Sequence, residues 1–136
     1  MTQLTKNFTL EEMTYSDTAV NKNIKNIPNN EQIKALKYLC EEVLQPVRDI
    51  LGVSIKVNSG FRSPELNKAI GGAVTSQHQK GEAADITMGT KPGNITLFNT
   101  IKKLGKYDQL IDEMDFSWVH VSYKKGENRR QILHLK

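Results

Sequence analysis

The chain has 136 residues, a length that suits one domain with one modest core. Hydrophobic residues make up 38% and charged residues 25%, which is too apolar for a disordered chain, and no apolar stretch approaches the roughly 18–20 residues of a membrane span. The 19 basic residues against 15 acidic ones leave +4, which favours an anionic partner without choosing among nucleic acid, an acidic wall polymer and lipid headgroups, and the one cysteine, Cys40, excludes both an intrachain disulfide and a thiolate zinc cluster.

The opening residues, MTQLTKNFTLEEM, lack the apolar core of a secretory signal, so the expectation is synthesis in the cytoplasm. The Asn-rich stretch from Asn21 to Asn30 reads as a surface loop. Residues 31–51 place Ile33, Leu36, Leu39, Cys40, Val43, Leu44, Val47, Ile50 and Leu51 at helical spacing. Asn29 or Asn30 caps that helix and Gly52 ends it, while Pro46 should kink or divide it. Val53, Ile55 and Val57 alternate with polar residues and predict a half-buried strand. Ser63-Pro64 predicts the start of a short helix that ends at Gly71-Gly72. A polar loop over 73–82 leads to a strand, AADITM. Asn94 is expected to cap a second helix with Ile95, Phe98, Ile101 and Leu104 inward, ended by Gly105. DQLIDEM and FSWVHVSY are two further strands, and QILHL is an edge strand. Strands and helices mix without a βαβ repeat, so the fold class is α+β.

Cys40 lies on the apolar stripe of its helix and reads as core. His134 reads as an exposed strand residue. His78 and His120 have more telling contexts. His78 precedes Asp85 by seven residues, with Gly81 allowing a turn between them. Asp85 stands in a strand among small apolar residues, where a carboxylate is costly unless paired or bound to a metal. Its side chain shares a face with Ala83 and Thr87. His120 shares a strand face with Trp118 and Ser122, and Val119 and Val121 face the other way. Two histidines and a carboxylate form a common catalytic zinc set that leaves a fourth position for water.

The run Ser76-x-His78-x-x-Gly81-x-Ala83-x-Asp85, followed by Trp118-Val119-His120-Val121-Ser122, resembles the zinc D-alanyl-D-alanine carboxypeptidase family. Within it the chain is similar to the short, single-domain proteins of bacteria and their phages. Asn7 to Glu12, Ser16 to Ala19, Leu44 to Arg48, Asn58 to Ser63, Leu66-Asn67, Gly71-Gly72 and Asn128-Arg129 carry the resemblance further, from about residue 7 to about 133.

That resemblance implies an α+β domain spanning residues 1–136, with a small antiparallel sheet and flanking helices, as in hedgehog-type domains. It implies a zinc-dependent peptidase that cuts bonds involving D-amino acids in peptidoglycan stem peptides, as a D-alanyl-D-alanine carboxypeptidase or an endopeptidase, acting as a monomer on the cell wall, as a phage lysis enzyme would. The implied zinc ligands are His78, Asp85 and His120. Family members place an acidic base shortly before the last zinc histidine, several of them three positions before it, where this chain has Ser117. Asp112, Glu113 and Asp115 remain. The Gln109-Leu110-Ile111 context selects Glu113, with Asp115 as runner-up. Where some branches have a second histidine this chain has Trp118, which lines the substrate cleft or packs on the core. The resemblance gives Arg62 a contact to substrate or oxyanion, a task that suits a planar fork. Ser76 either bonds substrate or shapes its loop. The alternatives are a non-catalytic zinc-containing wall-binding module of the same fold and a nucleic-acid binder. For the latter the basic residues are scattered and no nucleic-acid motif appears.

Overall fold

Residues 1–136 are described by a computed structural model. The N-terminal segment forms a small hairpin of β1 (Gln3–Thr5) and β2 (Phe8–Thr9), followed by α1 (Leu10–Thr14) and α2 (Asp17–Asn21). Thr9 caps α1 with a reciprocal bond to Glu12, and Ser16 caps α2. The stretch after α2 carries a structural residue. Asn26 donates to the carbonyls of Thr14 and Phe61 and accepts from the Ser63 amide, so the loop fastens α1 to the segment that carries Arg62.

α3 (Asn30–Leu39) is capped by Asn29, and α4 (Gln45–Leu51) ends at Gly52 in the left-handed region. Between them Cys40–Leu44 form a π-helical turn, in which the Gln45 amide reaches back to Cys40. The wider turn sits just before Pro46, which lacks an N–H and whose ring would crowd the carbonyl four residues back. The expected division of this helix is therefore met by a bulge rather than a break.

The main sheet has the order β3-β4-β6-β5-β7, from β3 (Lys56–Ser59), β4 (Ala83–Thr87), β5 (Gln109–Glu113), β6 (Trp118–Ser122) and β7 (Gln131–Leu135). All neighbours are antiparallel except β5 and β7, which run parallel. The first strand begins later than its alternation predicts: Ile55 is buried but Val53 is exposed. Its partner β4 ends at Thr87, opposite Lys56, so residues 53–55 have nothing to pair with. α5 (Pro64–Ala69) starts at Ser63 as expected.

The other correction concerns α6 (Lys91–Leu104), which starts at Thr90, not Asn94. Thr90 caps it ahead of Pro92 in the first turn, and Asn94 is a buried residue inside the helix. Its amide oxygen accepts from Thr87 and from the Met88 amide, and its nitrogen donates to the carbonyls of Phe116 and Ser117.

Leu36, Leu39, Val43, Leu44 and Val47 from the helices pack against Leu97 and Ile101 of α6 and one face of the sheet. That face presents Ala84, Ile86, Leu110, Val119 and Val121. Strand alternation then turns Asp85, Ile111, Glu113, Trp118 and His120 to the opposite face. The buried layer covers one face of the sheet, and the opposite face carries the candidate site.

Candidate metal centre and its cleft

The register sets Asp85 directly across from His120 on the adjacent strands β4 and β6. His78 arrives from a separate 3-10 turn, Gln77–Lys80, which Gly81 ends at a φ of +73°. A side chain at Gly81 would meet the Gln32 carbonyl 2.5 Å away, so the loop needs glycine there for its close approach as well as its φ. The result is a cluster whose ligand atoms all lie within 4.8 Å of one another. Asp85 Oδ1 stands 3.3 Å from His78 Nε2 and 3.0 Å from His120 Nδ1.

The donor set suits a metal ion. His78 Nδ1 donates to the Gly60 carbonyl over 2.7 Å, which fixes the tautomer and leaves Nε2 as the lone-pair atom facing Asp85. Gly60 can reach that place because it has no side chain: a Cβ would lie 2.3 Å from the Met13 carbonyl oxygen. Burial pushes the Asp85 carboxyl up, but the two rings beside it, His120 first and then His78, outweigh it and hold the group well below the ordinary carboxylate range. The cluster thus supplies one buried, ionised carboxylate and two imidazoles.

Arg62 lies beside the cluster. Its Nη2 donates to Asp85 Oδ2 over 3.1 Å, Nε to Ser59 and Nη1 to Asn67. Burial lowers its proton affinity, while the negative charges of Asp85 and Glu113 pull it back up. Its ion-pair partner is Asp85 of the candidate metal set. Ser59 and Asn67, which hold the guanidinium, lie within the family-like stretches Asn58 to Ser63 and Leu66-Asn67, but the sequence assigned neither a role. Gly72 packs against the same group, since a Cβ there would strike Asn67 Oδ1 at 2.1 Å.

An open cleft of about 680 Å³ runs over this face. His78, Asp85, His120, Arg62, Glu113 and Trp118 all line it, and so does Ser76. Ser76 accepts from the His78 amide and so shapes the turn, with its hydroxyl proton still to give. Trp118 sits opposite Glu113 in the register, and its indole N–H donates to Glu113 Oε2 over 3.3 Å.

The three acids considered as bases go to three places. Glu113 is half-buried in the cleft wall. Asp112 faces the other side of the sheet and is bonded to His134, which is itself exposed. Asp115 is exposed and pairs with Lys91 at 2.8 Å. The separation comes from the turn between β5 and β6, where Met114, Asp115 and Phe116 have φ of 50°, 55° and 61°. This left-handed turn lifts Asp115 away from the cleft and leaves Glu113 as the last residue of the strand.

A second network at the cleft was missed. Asp108 is fully buried and accepts from Gln77 and from the backbone and guanidinium of Arg129. The motif residue Arg129 was visible in the sequence, but its partner lies 21 positions away in a strand flank with no distinguishing pattern. Asn128 meanwhile closes its own loop by accepting from the Lys124 amide.

No helix is long and apolar enough to cross a membrane. A comparison with curated proteins found no match. The family model described as Peptidase M15 does match, over residues 6–122, a span that takes in every cleft residue named above except Arg129 and Lys124 beyond its end. With the His-Asp-His set, its fixed tautomer and the motif order all in agreement, the chain belongs to the Peptidase M15 family, the zinc D-alanyl-D-alanine carboxypeptidase family.

Proposed function

We propose that the chain is a zinc-dependent peptidase that hydrolyses bonds involving D-amino acids in peptidoglycan stem peptides, and that residues 1–136 act as one peptidase domain. The observation that carries this reading is the convergence of His78, Asp85 and His120 at the floor of a cleft that Glu113 also lines. The family is zinc-dependent, and this set could hold the ion through His78 Nε2, an Asp85 oxygen and His120 Nδ1. Bound zinc supplies a polarised carbonyl and a water whose pKa falls toward about 7.

The remaining work belongs to the protein. Glu113 takes the proton of the attacking water and passes it to the leaving amine, within hydrogen-bond reach directly or through one water. Trp118 donates to Glu113 and holds the carboxylate toward the cleft. Of the five N–H bonds of Arg62, three go to Ser59, Asn67 and Asp85, which steadies the metal carboxylate. The other two are free for a substrate carbonyl or an oxyanion. Ser76 offers its hydroxyl proton to the substrate backbone. The positive net charge helps approach to an anionic wall, and release at phage lysis would bring the protein there.

Digestion of defined muropeptides, with the products weighed, tests this reading. About one zinc per chain and a single cleaved bond next to a D-residue are expected. Full zinc affinity in His120→Ala would remove the ligand assignment. A zinc-loaded chain that binds muropeptides without cutting them would favour the wall-binding module instead.

A further inference from the structure

The two arginines of the cleft differ in how their forks are held and how far they are exposed. Arg62 is largely buried, and each of its three nitrogens has a protein partner. Arg129 is different. Its Nε and Nη2 both point at Asp108, at 3.1 and 2.7 Å, and its backbone amide bonds the same carboxylate. Asp108 is fully buried, so the guanidinium is fixed on a rigid post, yet the Arg129 side chain is 57% exposed. The side-on edge of the fork is used. The end-on edge, with both hydrogens of Nη1 and one of Nη2, has no acceptor and lies in the cleft wall. Lys124 lines the same cleft, and its ammonium has no partner either.

We infer that the Arg129 edge, with Lys124 in the same cleft, is a subsite for a carboxylate of the substrate. A planar fork held in place in advance receives a carboxylate in two bonds and loses little freedom on doing so. The register fixes where this subsite lies. Arg129 is tied to Asp108, at the start of β5, and Glu113 and Trp118 stand at the far end of that strand. His120 is opposite Ile111, between the two. Three residues of strand separate Asp108 from that level, or roughly 10 Å at ~3.4 Å per residue. An extended peptide covers that distance in about three residues. The carboxylate recognised is therefore two or three residues from the scissile bond. The terminal carboxylate of a D-alanyl-D-alanine end, one residue from its bond, is too close. This inference rests on the cleft being a stem-peptide site, and it makes the substrate an internal bond of an acidic stem.

The test uses the zinc-loaded chain and two matched stem peptides. One carries a free carboxylate two or three residues from the cleaved bond and the other a carboxamide there. The wild type should favour the carboxylate by roughly 10–100-fold in KM, the range of a charge-assisted bond pair. Arg129→Gln should erase that preference, with folding checked by circular dichroism and zinc content. Should Arg129→Gln fail to fold because Asp108 loses its fork, Arg129→Lys replaces it, and its preference should fall several-fold. Equal treatment of both peptides by the wild type, or an unchanged preference in the folded variant, overturns the subsite. If no protein cleaves either peptide, the peptidase reading has failed. Calorimetric binding of the same two peptides to wild type and variant then decides the subsite by the same ratio.

Discussion

Glu113 and Asp115 are two positions apart and chemically alike, and the backbone between them gives them different surroundings. Glu113 ends a strand, lines the cleft and accepts from Trp118. Asp115 sits on a left-handed turn and pairs with Lys91 in the open. Glu113→Gln keeps the shape and removes the proton acceptor, so turnover should fall by roughly 10²-fold or more with zinc content unchanged. Asp115→Asn removes only an exposed ion pair, which contributes little, and kcat should stay near the wild type. The reverse ranking of the two kcat values would move the base to Asp115. Strand alternation, a local rule, made the faces of Asp85 and His120 legible at this scale, while the grouping of His78, Asp85 and His120 as a candidate metal set came through the motif resemblance. Gln77, Asp108 and Asn67 were not legible, because a buried polar residue is defined by a partner far away in sequence. Arg62 was legible as a fork, but its tie to Asp85 emerges only when β3 and β4 pair.

The turn between β5 and β6 shows what one element owes another. Three consecutive non-glycine residues in the left-handed region are each disfavoured by about 1–2 kcal/mol. Asn94 of α6 offsets this by donating to the Phe116 and Ser117 carbonyls, and Phe98 of the same helix meets Phe116 edge-on at 5.6 Å. Asn94→Ala strands those carbonyls and the Met88 amide, and should destabilise the protein by about 2–3 kcal/mol. It should also lower kcat more than zinc affinity, since Glu113 leads into the turn. A urea titration with parallel kinetics checks both, and a loss below about 1 kcal/mol would show that the turn holds itself. The sequence reading made Asn94 a cap for a sound reason, since asparagine suits that place. Thr90 with Pro92 offers an equally good signal four residues earlier, and the tertiary demand on the Asn94 amide decided between them.

Across the whole molecule, the Asp108–Arg129 pair joins the loop before β7 to the turn that carries His78, through Gln77. The bond from Arg129, more than any other contact, holds the Asp108 carboxyl below its ordinary value. A carboxyl depressed in the folded state stabilises the fold above its unfolded pKa of about 3.9. That stability is lost as pH falls from there through the lower folded value. Asp108→Asn should therefore be less stable than wild type at neutral pH, and the gap in urea midpoint should narrow below about pH 4. A gap that is constant with pH would mean that Asp108 contributes through shape alone. The helices, the central strands and the mixed class were readable because each follows a local period. The strand order and the parallel β7 were not, because nothing in QILHL records which neighbour it will meet.

Gly60 has a consequence for how the metal site can change over time. A histidine ligand is oriented by a carboxylate, a backbone carbonyl or a water, and of these a side-chain partner is the one that a single substitution can delete. Here the acceptor that orients His78 is a main-chain carbonyl, present whatever residue is encoded. A carbonyl is not a titrating group, so this clamp does not need a neighbouring carboxylate to stay ionised. The vulnerability moves instead to packing, because any side chain at this position would push the segment after β3 away from Met13 and carry the carbonyl with it. Inheritance of the ligand's orientation therefore depends on the absence of a side chain at Gly60.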